Sequence, residues 1–142
     1  MDNQPSVTPG DMLKSVYDTN NDGKIDPAAL GTGTPSALTY LNGLGAWTPL
    51  YAVVTVTGAY PVLISDSVIL GNATTAAFSV LLPTAIGVIG KTYTLKKLDA
   101  SANSLTLTTS LSQTIDGGAT AVLSTQYLSL TVISDGANWQ VI

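Results

Sequence analysis

Thr92-Tyr-Thr-Leu-Lys-Lys-Leu-Asp-Ala-Ser-Ala-Asn-Ser-Leu-Thr-Leu-Thr-Thr109 decides the fold. Tyr93 and Leu95 alternate with polar residues, and so do Leu105 and Leu107. A period of two is that of a pleated strand with one buried face. Thr suits such a strand, because branching at Cβ restricts χ1 and packs well on a sheet. Between the two halves, Asp99-Ala-Ser-Ala-Asn103 is a turn cluster whose short side chains can bond the backbone.

The same pattern extends both ways. It predicts strands in Tyr51–Thr57, Tyr60–Ser65, Ser67–Leu70, Ala77–Leu82, Thr120–Leu123, Tyr127–Ile133 and Asn138–Ile142, besides the two above. Leu128, Leu130 and Val132 alternate clearly. Turns are expected at Ser65-Asp66, Gly71-Asn72, Asp116-Gly-Gly118 and Ser134-Asp-Gly136. Pro61 and Pro83 cannot donate to a ladder and belong at strand ends or edges. Short strands with such spacing imply an all-β domain, read as an antiparallel β-sandwich of jelly-roll type. It is expected over residues 50–142.

Residues 1–49 have another texture and are read as an extended, partly helical segment for attachment and trimerisation. Asp11 can cap a short helix in which Leu13, Val16 and Tyr17 form one apolar stripe. So short a helix needs something to pack on. Residues 31–49 contain too many glycines and prolines for regular structure. Yet Leu38, Tyr40, Leu41, Leu44 and Trp47 are too apolar for a solvated linker. Contact with a neighbouring chain is expected at Leu13, Val16, Tyr17, Tyr40, Leu41, Leu44 and Trp47, with the base of the β-domain a second setting for Trp47.

Composition narrows the function. Of the 142 residues only 10% are charged, and the chain has no His, Cys, Glu or Arg. It lacks an imidazole base, a thiolate nucleophile and a guanidinium clamp. A net charge of −4 disfavours nucleic acid. Ser and Thr must coat much of the surface, and so few charges protect poorly against self-association. Residues 1–12 do not read as a signal peptide, and no apolar run is long enough for a membrane span. No catalytic residue and no cofactor is expected.

Asp18-Thr-Asn-Asn-Asp-Gly-Lys-Ile-Asp26 matches the first half of a calcium loop. Asp18, Asn20 and Asp22 would offer side-chain oxygens, Lys24 its carbonyl, and Asp26 a ligand through water. Ala29 stands where the bidentate carboxylate belongs, so the site would be weak or filled by a partner chain. The other reading is a polar turn held by Asx side chains. Asp66, Asp99, Asp116 and Asp135 could suggest a glycosidase pair, but each sits in a turn signature and is read as a turn-holding group. Trp139 is expected in the core beside Tyr127 and Phe78. Lys91, Lys96 and Lys97 are expected on a solvated face, and Gly87 and Gly90 to flank a loop.

Three stretches together resemble phage tail-fibre and related virion-fibre proteins. Gly10–Asp26 looks like a linker of such fibres. Gly33-Thr-Pro-Ser-Ala-Leu-Thr-Tyr-Leu-Asn-Gly-Leu-Gly-Ala-Trp47 is similar to a fibre motif in which Asn42 replaces the usual Arg and Leu44 the usual Asp. Leu82–Ala85, Gly90–Lys97, Asp99, Asn103, Thr114–Gly117 and Ser134–Trp139 are similar to a small β-domain that ends many phage appendages. The resemblance implies a homotrimer on the virion surface. Its N-terminal part would join tail, baseplate or capsid proteins, and its C-terminal part would face outward, toward a host glycan or protein. A capsid decoration or head fibre is the alternative.

Overall fold

The computed structural model describes residues 18, 26, 30, 36, 39–41, 45–49 and 51–142. The chain divides into two compact units, Met1–Leu50 and Tyr51–Ile142. The expected helix over residues 12–17 lies outside the described residues. Within the first unit, β1 (Thr39–Leu41) pairs antiparallel with β2 (Trp47–Pro49), Tyr40 facing Thr48. The segment read as lacking regular structure therefore contains a short hairpin. Gly45 has φ +73°, a conformation glycine adopts at no steric cost, so it helps the chain turn rather than denying it order.

The second unit is all β, with strands in each of the nine stretches the pattern marks. They are β3 (Val53–Val56), β4 (Tyr60–Pro61), β5 (Val68–Gly71), β6 (Phe78–Leu81), β7 (Thr92–Lys97), β8 (Leu105–Thr108), β9 (Thr120–Leu123), β10 (Ser129–Ser134) and β11 (Trp139–Val141). One sheet has the order β11-β10-β7-β5-β3, the other β4-β6-β8-β9. From β3 to β8 the chain alternates between the sheets. It then folds back, with β9 beside β8 and β10 beside β7.

Alternation corrects the antiparallel expectation. β3–β5, β5–β7, β4–β6 and β6–β8 are all parallel. A strand that leaves for the other sheet and returns has completed a turn and arrives in its former direction. Parallel neighbours need such a crossover, usually a helix; here it is a strand of the other sheet. Within the second unit, only the fold-back strands pair antiparallel: β8–β9, β7–β10 and β10–β11.

Buried apolar residues of both sheets join one hydrophobic cluster, including Ile69, Tyr93, Leu95, Val132 and Trp139 from the first and Val80, Leu105, Leu107 and Leu123 from the second. Full burial of one such aliphatic side chain contributes roughly 1.5–3 kcal/mol. At Gly71 an added Cβ would stand 2.4 Å from Leu105 Cδ1, so the second sheet's leucine occupies the space a side chain would need. Trp139 is fully buried, as its strand position implies, but its ring partner is Tyr93, with centroids 5.4 Å apart. The expected partner Tyr127 is exposed, because its φ of +64° lies in a turn ahead of β10. Phe78 is half-buried against the core.

Two sheet edges are blunted. β4 ends on Pro61, which has no ladder donor to leave unpaired. Beside β11, Val141 N–H donates to Asp116 Oδ1 at 2.9 Å, and Asp116 N–H to the Trp139 carbonyl at 3.1 Å. Asp116 and Gly117 have φ of +48° and +81°. With the paired Ile115 and Gly118, they form the two-residue hairpin turn that Asp-Gly favours.

Candidate interaction surface

Four loops gather where β4, β6 and β8 end and β5, β7 and β11 begin: residues 62–67, 82–91, 109–119 and 135–138. Side chains tie them together. Gln113 accepts Ala85 N–H at 3.0 Å and donates to Thr84 Oγ1 at 3.0 Å. Lys91 Nζ donates to the Asp66 carbonyl at 2.8 Å. At the end of β10, Ser134 Oγ donates to the Ala85 carbonyl at 2.7 Å, and Thr114 N–H to Asn138 Oδ1 at 2.9 Å. Asp66 Oδ2 receives Leu63 N–H and the Tyr60 hydroxyl, which fixes the turn into β5. That hydroxyl is held above its ordinary pKa, by burial first and then by the hydrogen bond to Asp66. Burial also lowers the pKa of Lys91, against the opposing pull of Asp66.

This bonded frame presents greasy side chains to solvent. Leu63, Ile64, Ile86, Ile89 and Leu111 are all exposed, Ile89 and Leu111 at 77%. Scattered apolar residues are ordinary on a surface; here the five lie on three loops that side-chain hydrogen bonds tie together. Leu111 and Ser112 have φ of +54° and +59°, where L-residues pay about 1–2 kcal/mol each. Thr109 Oγ1 on the Gln113 carbonyl, at 2.6 Å, and Gln113 N–H on the Ser110 carbonyl hold that shape.

Sequence reasoning did not single out these residues. Val88-Ile89 between two glycines was a readable signal: an apolar pair in a loop has no strand face to bury it. Leu111 carried none, since its exposure depends on backbone angles at a non-glycine residue.

Of the residues expected at a chain contact, Tyr40 and Leu41 are exposed and Trp47 is half-buried. Leu13, Val16, Tyr17 and Leu44 lie outside the described residues. In the calcium-loop stretch Asp18 is buried and Asp26 half-buried, while Asn20, Asp22 and Lys24 lie outside the described residues. The four aspartates of the β-unit hold turns. Asp135 accepts the N–H groups of Ala137 and Asn138 at 2.8 and 2.7 Å, and Asp116 that of Val141. Lys96 reaches the Tyr127 carbonyl, and its ammonium lies 5.7 Å from that residue's ring centroid.

Lys97 corrects the solvated-face reading. It is fully buried, with Nζ 2.5 Å from Asp99 Oδ1. Asp99 also accepts Ala73 N–H at 2.6 Å, Ser101 N–H at 3.0 Å and the Ser101 hydroxyl. The Lys97 ammonium and Ser101 hydroxyl hold this carboxyl far below the usual carboxylate range. The Asn138 and Ala137 amides, with Gln140, lower Asp135 as well. In the unfolded chain an aspartate titrates near ~3.9. A carboxyl with a depressed folded pKa stabilises the fold above that value, and the contribution is lost as pH falls toward the folded pKa. The melting temperature should therefore decline progressively below about pH 4. Asp99→Asn should melt lower at neutral pH and show a flatter acid limb. A limb as steep as that of the wild type would show that Asp99 does not supply this dependence.

No family model and no curated protein matches the chain.

Proposed function

We propose that the chain is a structural protein of a bacteriophage virion, a tail fibre or appendage contributing to host-surface attachment. Its two sheets stack as a sandwich, and three copies associate. The observation that carries the reading is the rigid apolar loop end, displayed by a chain with only 10% charged residues. Side chains such as Ile86, Ile89 and Leu111 gain most when another protein surface covers them. The fibre-like motifs in Gly10–Asp26 and Gly33–Trp47 supply the virion context. The Ser, Thr, Asn and Tyr side chains of other loops offer hydrogen bonds for a host glycan or protein, multiplied by three copies. A capsid decoration or head fibre would have the same build and differ in where it sits.

Light scattering from the purified full chain should give three times the 14.5 kDa of one chain. The triple variant Ile86→Ser, Ile89→Ser, Leu111→Ser should shift the mass toward one chain, because exposed positions tolerate Ser without loss of the fold. A single-chain mass for the wild type would count against the trimer. An unchanged trimer in the triple variant would remove the loop end from the interface.

A further inference from the structure

A strand at the edge of a sheet offers its main-chain N–H and C=O groups to any further strand, and natural proteins blunt such edges with proline, charge or a covering loop. Two edges of the second unit are blunted, at Pro61 of β4 and at Asp116 beside β11. The other two, β3 and β9, have no strand on their outer side among the described residues. Neither contains a proline. No charged residue lies between Asp26 and Asp66, nor between Asp116 and Asp135, so both strands sit in uncharged runs.

The ladders fix which groups face outward. The Ala52 and Val56 carbonyls accept from Val68 and Asn72 at 3.0 and 2.9 Å, so the even residues of β3 bond to β5. Main-chain groups of successive strand residues point to opposite edges, which turns those of Val53 and Thr55 outward. In the other sheet the Ser104 and Thr108 carbonyls accept from Phe78 and Leu82, so the even residues of β8 serve β6. The odd ones, Leu105 and Leu107, serve β9 through Leu123 and Ala121. Thr120 and Val122 therefore face outward. All four outward residues have exposed side chains, Val53 at 62% and Val122 at 55%.

A strand that fits either edge is short, uncharged and itself unpaired on one side, and a second copy of this chain supplies one. Like edges, β3 on β3 or β9 on β9, make twofold contacts, and each leaves the other edge open. A contact between unlike edges uses both and can close into a ring. We propose that the β3 edge of one copy pairs with the β9 edge of the next. This pairing rests on the three-copy association put forward above and gives it a main-chain contact.

The chain has no cysteine, so introduced thiols report alone. The full chain carrying Val53→Cys and Val122→Cys, treated with a short bismaleimide, should give covalent dimers and trimers on a denaturing gel. Either substitution by itself should leave single chains. A wild-type mass of three chains with no crosslinking in the double variant overturns the edge pairing and leaves the trimer standing. Dimers from one substitution alone also overturn it, since like edges would then meet. Crosslinked products running beyond three chains support the edge contact and overturn closure at three. A wild-type mass of one chain without crosslinks overturns both.

Discussion

Trp139→Ala should destabilise the second unit by about 3–5 kcal/mol, among the largest effects of any single truncation. Trp139 is fully buried and its ring lies against that of Tyr93, tilted by 54°. Its backbone also anchors the segment beside β11: its N–H donates to the Thr114 carbonyl at 2.9 Å, and its carbonyl accepts from Asp116 at 3.1 Å. The lost ring leaves a cavity that β10 and β7 cannot close, because both are fixed by ladders on each side. Small domains are stable by about 5–15 kcal/mol in total, so the variant should lose a large share of its stability. Urea titration followed by circular dichroism measures the change. Val122→Ala, at an exposed strand position, should shift stability by no more than about 0.5 kcal/mol. Similar losses for the two variants would mean that Trp139 does not occupy the core.

The contact between Gly71 and Leu105 gives the second large effect. Val at position 71 would push its Cβ against Leu105 Cδ1 and should cost about 1–3 kcal/mol by overpacking. Leu105→Ala alone should cost about 2–5 kcal/mol as a cavity. Together the two should cost less than their sum by about 1 kcal/mol or more, because the added methyls enter the space the leucine vacates. The cycle tests whether the two sheets face each other, since the residues belong to different sheets. Losses that add to within about 0.5 kcal/mol would mean that they do not touch.

The strands were legible because their burial repeats every two residues, and that pattern survives whatever the neighbours do. Their direction was not legible. Tyr93 and Leu95 alternate alike whether β7 lies parallel to β5 or antiparallel to it, since alternation records a face and not a partner. Lys97 was misread although its parity was visible. It continues the inward series Tyr93, Leu95, and the turn residue Asp99 two places later supplies the counter-charge. Charge outweighed position in the reading, where position and a partner should have decided. The hairpin of Thr39–Leu41 and Trp47–Pro49 was hidden by glycines taken as breakers when one of them serves the turn. The loop frame depends on Gln113, Ser134 and Asn138 meeting backbone atoms from distant loops, which no local pattern encodes.

Quantitative mass spectrometry of purified phage particles made by a host carrying this chain is the most direct test of a virion role. The protein should copurify with intact particles at a fixed copy number divisible by three, tens or fewer for a tail appendage and hundreds for a capsid decoration. A protein abundant in the lysate yet missing from washed, infectious particles would contradict the assignment.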